Sequence, residues 1–324
     1  MSEPVRRLVV LHRGVLPPNT DWLDRTVDTR YATADDLPAA LLGADALLAW
    51  HSTSTAVAGA WPADPGRAPR WIHVAGSGVE PMLFPAVTGD PGIALTNSRG
   101  VYDQAIAEYV LGFVLAMAKD VPGMLEHQRR KEWRPRDSEP IGGRRAVVWG
   151  TGPIGRAVAR TLRAVGMRVS GAGRAPRTDD ADFGTVHGPD AIPGALGAAD
   201  YVVLVAPLTA QTRGMVDART IRAMKPGARL INVGRGALVD EEALIDALTS
   251  GHLVGAALDV FATEPLPTGS PLWTLPGVLV SPHTAGEAQG WRASLAEVFA
   301  ENLRRRQDGR PLLNVVDKER GYVP

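Results

Sequence analysis

A chain of 324 residues can form two domains with their own cores, and its 35 Lys+Arg against 35 Asp+Glu leave no net charge. No overall basic field therefore recruits nucleic acid or an anionic membrane surface, and no apolar stretch approaches the length of a membrane span. Cysteine is absent, which removes disulfides, thiolate nucleophiles and cysteine metal ligands but says little by itself about compartment. From the short apolar run at the start and the lack of a membrane-length stretch, the expectation is a soluble, cytoplasmic protein with a small-molecule partner and no metal.

From Arg6 onward, short apolar runs alternate with helical segments: LVVLH, a helix around Leu37 to Leu42, ALLAW (Ala46 to Trp50), WIHVAG (Trp71 to Gly76) and IALTN (Ile93 to Asn97). This is a βαβ pattern. Two loops follow strand ends, Trp50 to Thr55 and AGSGVE (Ala75 to Glu80). The small residues of the second can present successive N–H groups to an anion, although an ordinary strand-to-helix turn has the same composition. Segment 102–118 is apolar almost all round, which predicts a helix buried between two bodies and connecting them. Trp133 to Gly143 reads as a surface loop.

The run AVVWG (Ala146 to Gly150) then reads as a buried strand, and Gly150, Gly152 and Gly155 give G-x-G-x-x-G. Gly150 permits a tight turn, Gly152 lets backbone N–H groups approach a pyrophosphate, and Gly155 lets the next helix lie close to the strand. That helix begins near Pro153, directs its positive end at the anion, and places Ile154, Val158, Leu162 and Val165 on one apolar face before a second strand, MRVSGA (Met167 to Ala172). Glycine patterns alone open many helices; this strand–turn–helix–strand context favours a dinucleotide. An acid that would hold the ribose of NAD is due about twenty residues on. That position is Gly173, followed by Arg174 and Arg177, so no obvious carboxylate and two guanidinium groups are offered. The expected cofactor is NADP, with NAD possible. Two solvated loop arginines are the other reading.

Further strands are expected at YVVLVA (Tyr201 to Ala206), RLINV (Arg229 to Val233), GAALDV (Gly255 to Val260) and VLVS (Val278 to Ser281). Asp240 opens a capping-box-like DEEALIDAL, and Trp291 to Gln307 reads as a long amphipathic helix. Arg235, Glu264 and His283 each stand just after one of these strands, where ligands bind in an open α/β sheet. Each alone is commonly a surface charge, a solvated turn or a hydrogen-bonded loop residue.

GTGPIG, PLTAQT, INVGRGALVDEEAL, LDVFATEPLP and SPHTAG, in this order, resemble the D-isomer-specific 2-hydroxyacid dehydrogenase family over nearly the whole chain. The resemblance implies an α/β fold of two Rossmann-like doubly wound domains with parallel sheets and an active site in the interdomain cleft. The substrate domain would comprise 1–98 with 288–324, and the dinucleotide domain 99–287. The same resemblance assigns Arg235 to the substrate's carboxylate and carbonyl, His283 to acid/base work and Glu264 to orienting it. Ser77 and Gly78 would bind the substrate carboxylate, Asp259 the nicotinamide amide, and Pro207 and Thr212 would line the adenosine side. Gly150, Gly152, Pro153, Ile154, Gly155, Arg174 and Arg177 complete the cofactor set. Two positions depart from the family's usual pattern: Gly173 replaces the acid, and Glu80 stands where Asp is commoner. GAGRAPR resembles the NADP-using glyoxylate and hydroxypyruvate reductase branch. The expected activity is hydride transfer between NADP(H) and a small 2-oxo or D-2-hydroxy acid, in a homodimer. A dinucleotide-sensing regulator on the same scaffold is the alternative, but would be expected to carry added tails or docking segments. A phosphoglycerate dehydrogenase in its longer forms would need a further domain, for which a chain ending at Pro324 leaves no room.

Overall fold

The computed structural model describes residues 4–324, and the chain divides into two compact units, Met1–Val101 with Gln289–Pro324, and Tyr102–Ala288. In the first unit, β1 (Arg7–Leu11), β2 (Asp28–Ala32), β3 (Ala46–Ala49), β4 (Trp71–Val74) and β5 (Ala94–Asn97) form a parallel sheet ordered β2-β1-β3-β4-β5. β3 and β4 are buried at every residue, as strands covered on both faces require, which is why they read as unbroken apolar runs. β2 (DTRYA) has no such run because it lies at the edge, with only Ala32 buried. The helix Trp291–Gln307 packs back on this unit through Leu295, Phe299 and Leu303, and the Phe299 ring stacks on Trp71 at 5.5 Å. Its Asn302 side chain then holds both N–H and C=O of Leu313, at 2.7 and 3.1 Å.

The second unit contains β6 (Arg145–Trp149), β7 (Arg168–Ala172), β8 (Arg177–Asp180), β9 (Gly184–His187), β10 (Tyr201–Leu204), β11 (Ala228–Asn232), β12 (Leu253–Leu258) and β13 (Val278–Val280). The sheet runs β13-β12-β11-β10-β6-β7-β9-β8, parallel except that β8 is antiparallel to β9. Strand order reverses about β6, which lies between β7 and β10; the crevice at such a reversal is where doubly wound sheets bind ligands. One face buries Ile106, Val110, Val114, Val158 and Leu162 against Val148 and Val203. The other buries Leu196, Ile221 and Leu244 against Val202, Leu230 and Leu258.

The helix expected over 102–118 is Asp103–Ala118, but it is buried on one face only. Ile106, Ala107, Val110, Phe113 and Val114 point into the core, whereas Glu108, Gly112 and Leu115 are exposed. Val165 also departs from expectation. The helix Pro153–Ala164 ends before it, the chain turns away through Gly166 at φ 85°, and Val165 is left exposed. Two further elements escape a reading by apolar runs: the helix Val121–Arg129, whose first turn is capped by Asp120, and the β8–β9 hairpin. Among the described residues, no helix is long and apolar enough to cross a membrane.

Candidate active site

Because β11, β12 and β13 are neighbours, their carboxyl ends bring Arg235, Glu264 and His283 into adjacent loops of one unit. Each exit is anchored by a buried polar side chain. Asn232 closes β11: its carboxamide oxygen accepts from Gly234 N–H at 3.1 Å and its amide donates to the Arg235 carbonyl at 3.0 Å, fixing the turn that presents the guanidinium. The Arg235 Nη1 also donates to the Gly234 carbonyl at 2.7 Å. Gly236 follows, and a Cβ there would lie 1.9 Å from the Phe261 carbonyl carbon. Only glycine lets the Arg235 turn lie this close to the backbone leading to Glu264.

Asp259 leaves β12 buried, and its carboxylate accepts from the Ser281 hydroxyl and from the N–H groups of Thr284 and Ala285 at 2.9 and 3.0 Å. Its carbonyl accepts from His283 N–H at 2.8 Å. These bonds wrap residues 281–285 around one carboxylate and hold His283 at φ 57°, a left-handed conformation that a non-glycine residue keeps only when its surroundings impose it. Asn232 and Ser281 were absent from the residues singled out by sequence. The available signal was a polar residue closing each apolar strand.

The His283 Nδ1 and Glu264 Oε2 are 2.7 Å apart, and Glu264 Oε1 accepts from Phe261 N–H at 3.0 Å. The hydrogen bond to Glu264 raises the His283 pKa, with further help from the carboxylate charges of Glu264 and Asp259, against burial and the Arg235 charge, which lower it. For Glu264, burial pushes the pKa up, but the bonds from His283 and Phe261 together with the Arg235 charge leave it below the usual glutamate value. A carboxylate at Nδ1 fixes the ring so that Nε2 is the nitrogen directed away from Glu264. The arrangement can therefore hold an imidazolium and deliver a proton from Nε2.

At the β6 exit, Gly150 adopts φ 125°, and a Cβ on Gly155 would meet the Gly150 carbonyl oxygen at 1.9 Å. Both glycines are required by the protein itself. Gly152 is different: a Cβ there would touch nothing within 4 Å. The open side of Gly152 lies at the N-cap of the helix Pro153–Ala164, with Pro153 in its first turn and Ile154 partly buried behind it. Such a cradle fits a pyrophosphate approaching backbone N–H groups. At the β10 exit, the Thr212 hydroxyl donates to the Pro207 carbonyl at 2.7 Å and accepts from Thr209 N–H at 2.8 Å, so these residues build one closed turn.

Gly173 closes β7, with its N–H bonded to the His187 carbonyl at 3.0 Å, and Arg174 is exposed beyond it. The position due to hold the acid is Gly173, as read from the sequence, but a carboxylate not foreseen there lies beside Arg177. Arg177 Nε donates to Asp180 Oδ2 at 3.1 Å, because a left-handed residue at Asp179, φ 57°, interrupts β8 and turns Arg177 and Asp180 to one side. In the other unit, Ser77 and Gly78 follow β4. The Ser77 carbonyl accepts from Asn97 Nδ2 at 2.7 Å, and Gly76 packs so closely on Ser52 that a Cβ would stand 3.1 Å from it. Beneath this loop His73 is fully buried between Thr96 and Ser98, with Nδ1 2.8 Å from Thr96 Oγ1, and burial lowers its pKa to about 3, so it is a neutral structural histidine. Glu80 begins a short helical turn, Glu80–Met82.

Comparison with known proteins identifies the family. Residues 111–285 match the profile described as D-isomer specific 2-hydroxyacid dehydrogenase, NAD binding domain. The chain is 34% identical over 235 residues to a glyoxylate reductase of Korarchaeum cryptofilum, covering 70% of each. It is 34% identical, with a TM-score of 0.78, to a D-isomer specific 2-hydroxyacid dehydrogenase from Xanthobacter autotrophicus solved in complex with NADPH and MES, covering 98% of this chain and 100% of that one. An NADPH-dependent glyoxylate/hydroxypyruvate reductase from Sinorhizobium meliloti, solved with NADP and sulfate, superposes with a TM-score of 0.81 at 26% identity, again over 98% of this chain and 100% of that one. The two sheets, parallel but for β8, the glycine cradle at the β6 exit and the extent of these matches place the chain in the D-isomer specific 2-hydroxyacid dehydrogenase family.

Proposed function

We propose that this protein reduces a small 2-oxo acid, of the size of glyoxylate or hydroxypyruvate, to the D-2-hydroxy acid with NADPH. The observation that carries the reading is the His283–Glu264 pair beside the Arg235 turn, a histidine whose charged form the carboxylate favours next to a guanidinium fork. NADPH supplies the hydride when bound. His283 Nε2 would give a proton to the substrate's carbonyl oxygen during reduction; proton transfer from a positioned group is worth about 10²–10⁴-fold. Arg235 matches the two oxygens of the substrate's carboxylate and carbonyl, and Ser77 and Gly78 N–H groups take the carboxylate. Asp259 would serve the nicotinamide amide through the acceptor capacity its bonds to Ser281, Thr284 and Ala285 leave, and also fixes the His283 loop.

Gly150, Gly152, Pro153, Ile154 and Gly155 would cradle the pyrophosphate, and Pro207 and Thr212 would flank the adenosine. Arg174 and Arg177 would receive the 2′-phosphate. We assign the dinucleotide to the unit Tyr102–Ala288 and the Ser77 loop to a substrate unit. We assign the protein to the cytoplasm, as expected for a reductase that draws on NADPH. A homodimer is supported by apolar surface near the helix Asp103–Ala118: Leu115, Met124 and Leu125 are 37%, 46% and 42% exposed, and Trp133 96%. Light scattering is expected to give twice the 34.4 kDa chain mass. The activity is tested by following NADPH oxidation with a panel of 2-oxo acids. Turnover of the smallest acids supports the reading. NADPH binding without turnover of any of them would favour a dinucleotide sensor instead.

A further inference from the structure

The hairpin β8–β9 is tied to the helix that begins the dinucleotide turn by a cluster of charged groups. Arg156, one residue past Gly155, grips Asp180 with both prongs, Nη1 to Oδ1 and Nη2 to Oδ2 at 3.0 Å each. Asp180 Oδ1 also accepts from the N–H groups of Asp182 and Phe183, at 3.1 and 3.3 Å. Its side chain is only 6% exposed, and the Arg156 contact keeps its pKa far below the usual carboxylate range, so it is a fixed anion. The remaining capacity of Oδ2 goes to Arg177 Nε at 3.1 Å. The Asp182 carboxylate bonds Arg156 Nη1 at 2.7 Å and Arg160 Nη1 at 3.2 Å and makes no bond to Arg177.

Arg177 opens β8 opposite Val186, which in turn pairs with Gly171 in β7, so it lies in register with the end of the strand that closes at Gly173. A bond at Nε leaves the Nη1/Nη2 edge of the guanidinium available, and that two-pronged edge is the one complementary to a phosphate. Among the described residues neither Nη of Arg177 makes a hydrogen bond. We infer that Asp180 is a positioning residue for cofactor choice: held rigidly by Arg156, it orients Arg177 through Nε so that the Nη edge receives the 2′-phosphate of NADPH. This rests on the NADPH reading proposed above. The alternative action of the same carboxylate, competing with the phosphate for Arg177, has the opposite sign and is therefore separable.

The test measures kcat and KM for NADPH and NADH with one 2-oxo acid in the wild type, Asp180→Ala, Arg177→Ala and Asp182→Asn. Binding of adenosine 2′,5′-bisphosphate and of 5′-AMP is measured alongside. Asp180→Ala is expected to raise KM for NADPH several-fold with kcat and KM for NADH nearly unchanged, and to weaken the bisphosphate but not 5′-AMP. Arg177→Ala should likewise raise KM for NADPH and weaken the bisphosphate, and a variant carrying both Asp180→Ala and Arg177→Ala should add little to either, since the two act as one unit. Asp182→Asn loosens the hairpin tie without touching Arg177, and should keep the wild-type preference. A lower KM for NADPH in Asp180→Ala, equal losses for both cofactors, or the same loss of preference in Asp182→Asn would each overturn the proposal. A wild type without preference for NADPH would reject the cofactor reading and this role with it. Preference abolished by Arg177→Ala but retained in Asp180→Ala would reject the role of Asp180 alone.

Discussion

His283 Nδ1 lies 2.7 Å from Glu264 Oε2, although the two residues arrive from loops that leave different strands, β12 and β13. Neither residue secures the contact alone: Phe261 N–H orients the carboxylate, and Asp259 holds the histidine loop.

With His283 as the proposed proton donor, the pair is expected to set the pH dependence of reduction. Glu264 raises the pKa of His283, so the proton donor persists to higher pH, and kcat/KM for reduction falls as pH rises through that raised value. Glu264→Gln removes the charge and should move the alkaline limb to lower pH. An alkaline limb that stays in place would make Glu264 a purely structural residue.

Gly236→Ala tests the packing beneath the site. The added methyl would fall 1.9 Å from the Phe261 carbonyl carbon, so the Arg235 turn and the Glu264 loop must move apart. Overpacking of this kind costs about 1–3 kcal/mol, and because it separates the guanidinium from the His283–Glu264 pair, kcat/KM should fall at least about ten-fold through lost positioning. Thermal unfolding and steady-state kinetics check both. Wild-type kinetics would mean that the loops have slack the structure does not suggest.

For cofactor choice, Arg174→Ala should raise KM for NADPH far more than for NADH. A charge-assisted bond to the 2′-phosphate is worth about 1.5–3 kcal/mol, or about ten-fold and more. Gly173→Asp should push preference toward NADH, and it can be built, since a Cβ there meets nothing closer than Thr151 Oγ1 at 3.4 Å. Equal effects of Arg174→Ala on both cofactors would reduce that arginine to a surface charge.

Much of this was legible because parallel strands buried on both faces are apolar runs, and β6, β10, β11 and β12 announce themselves that way. Arg235 and Glu264 come in the loops after the buried strands β11 and β12, and His283 after the partly buried β13, so their clustering needed only the strand order. What stayed hidden lacks an apolar run or depends on a local irregularity. β2 buries only Ala32, and β8 has no buried residue. The Arg177–Asp180 contact is unreadable from spacing, since residues i and i+3 of a regular strand face opposite sides, and only the left-handed Asp179 joins them. Asn232 and Ser281 look like loop polarity until their partners are seen.

The most direct test of the account is a single-turnover measurement of NADPH oxidation by a saturating 2-oxo acid in the wild type and in His283→Asn, with NADPH affinity measured on both. Asparagine removes the proton donor and leaves the glycine cradle at Gly150 to Gly155 untouched. NADPH should bind both proteins alike, while the rate of oxidation in the variant falls by about 10²–10⁴-fold. A variant that oxidises bound NADPH at nearly the wild-type rate would contradict the assignment of His283 as the proton donor.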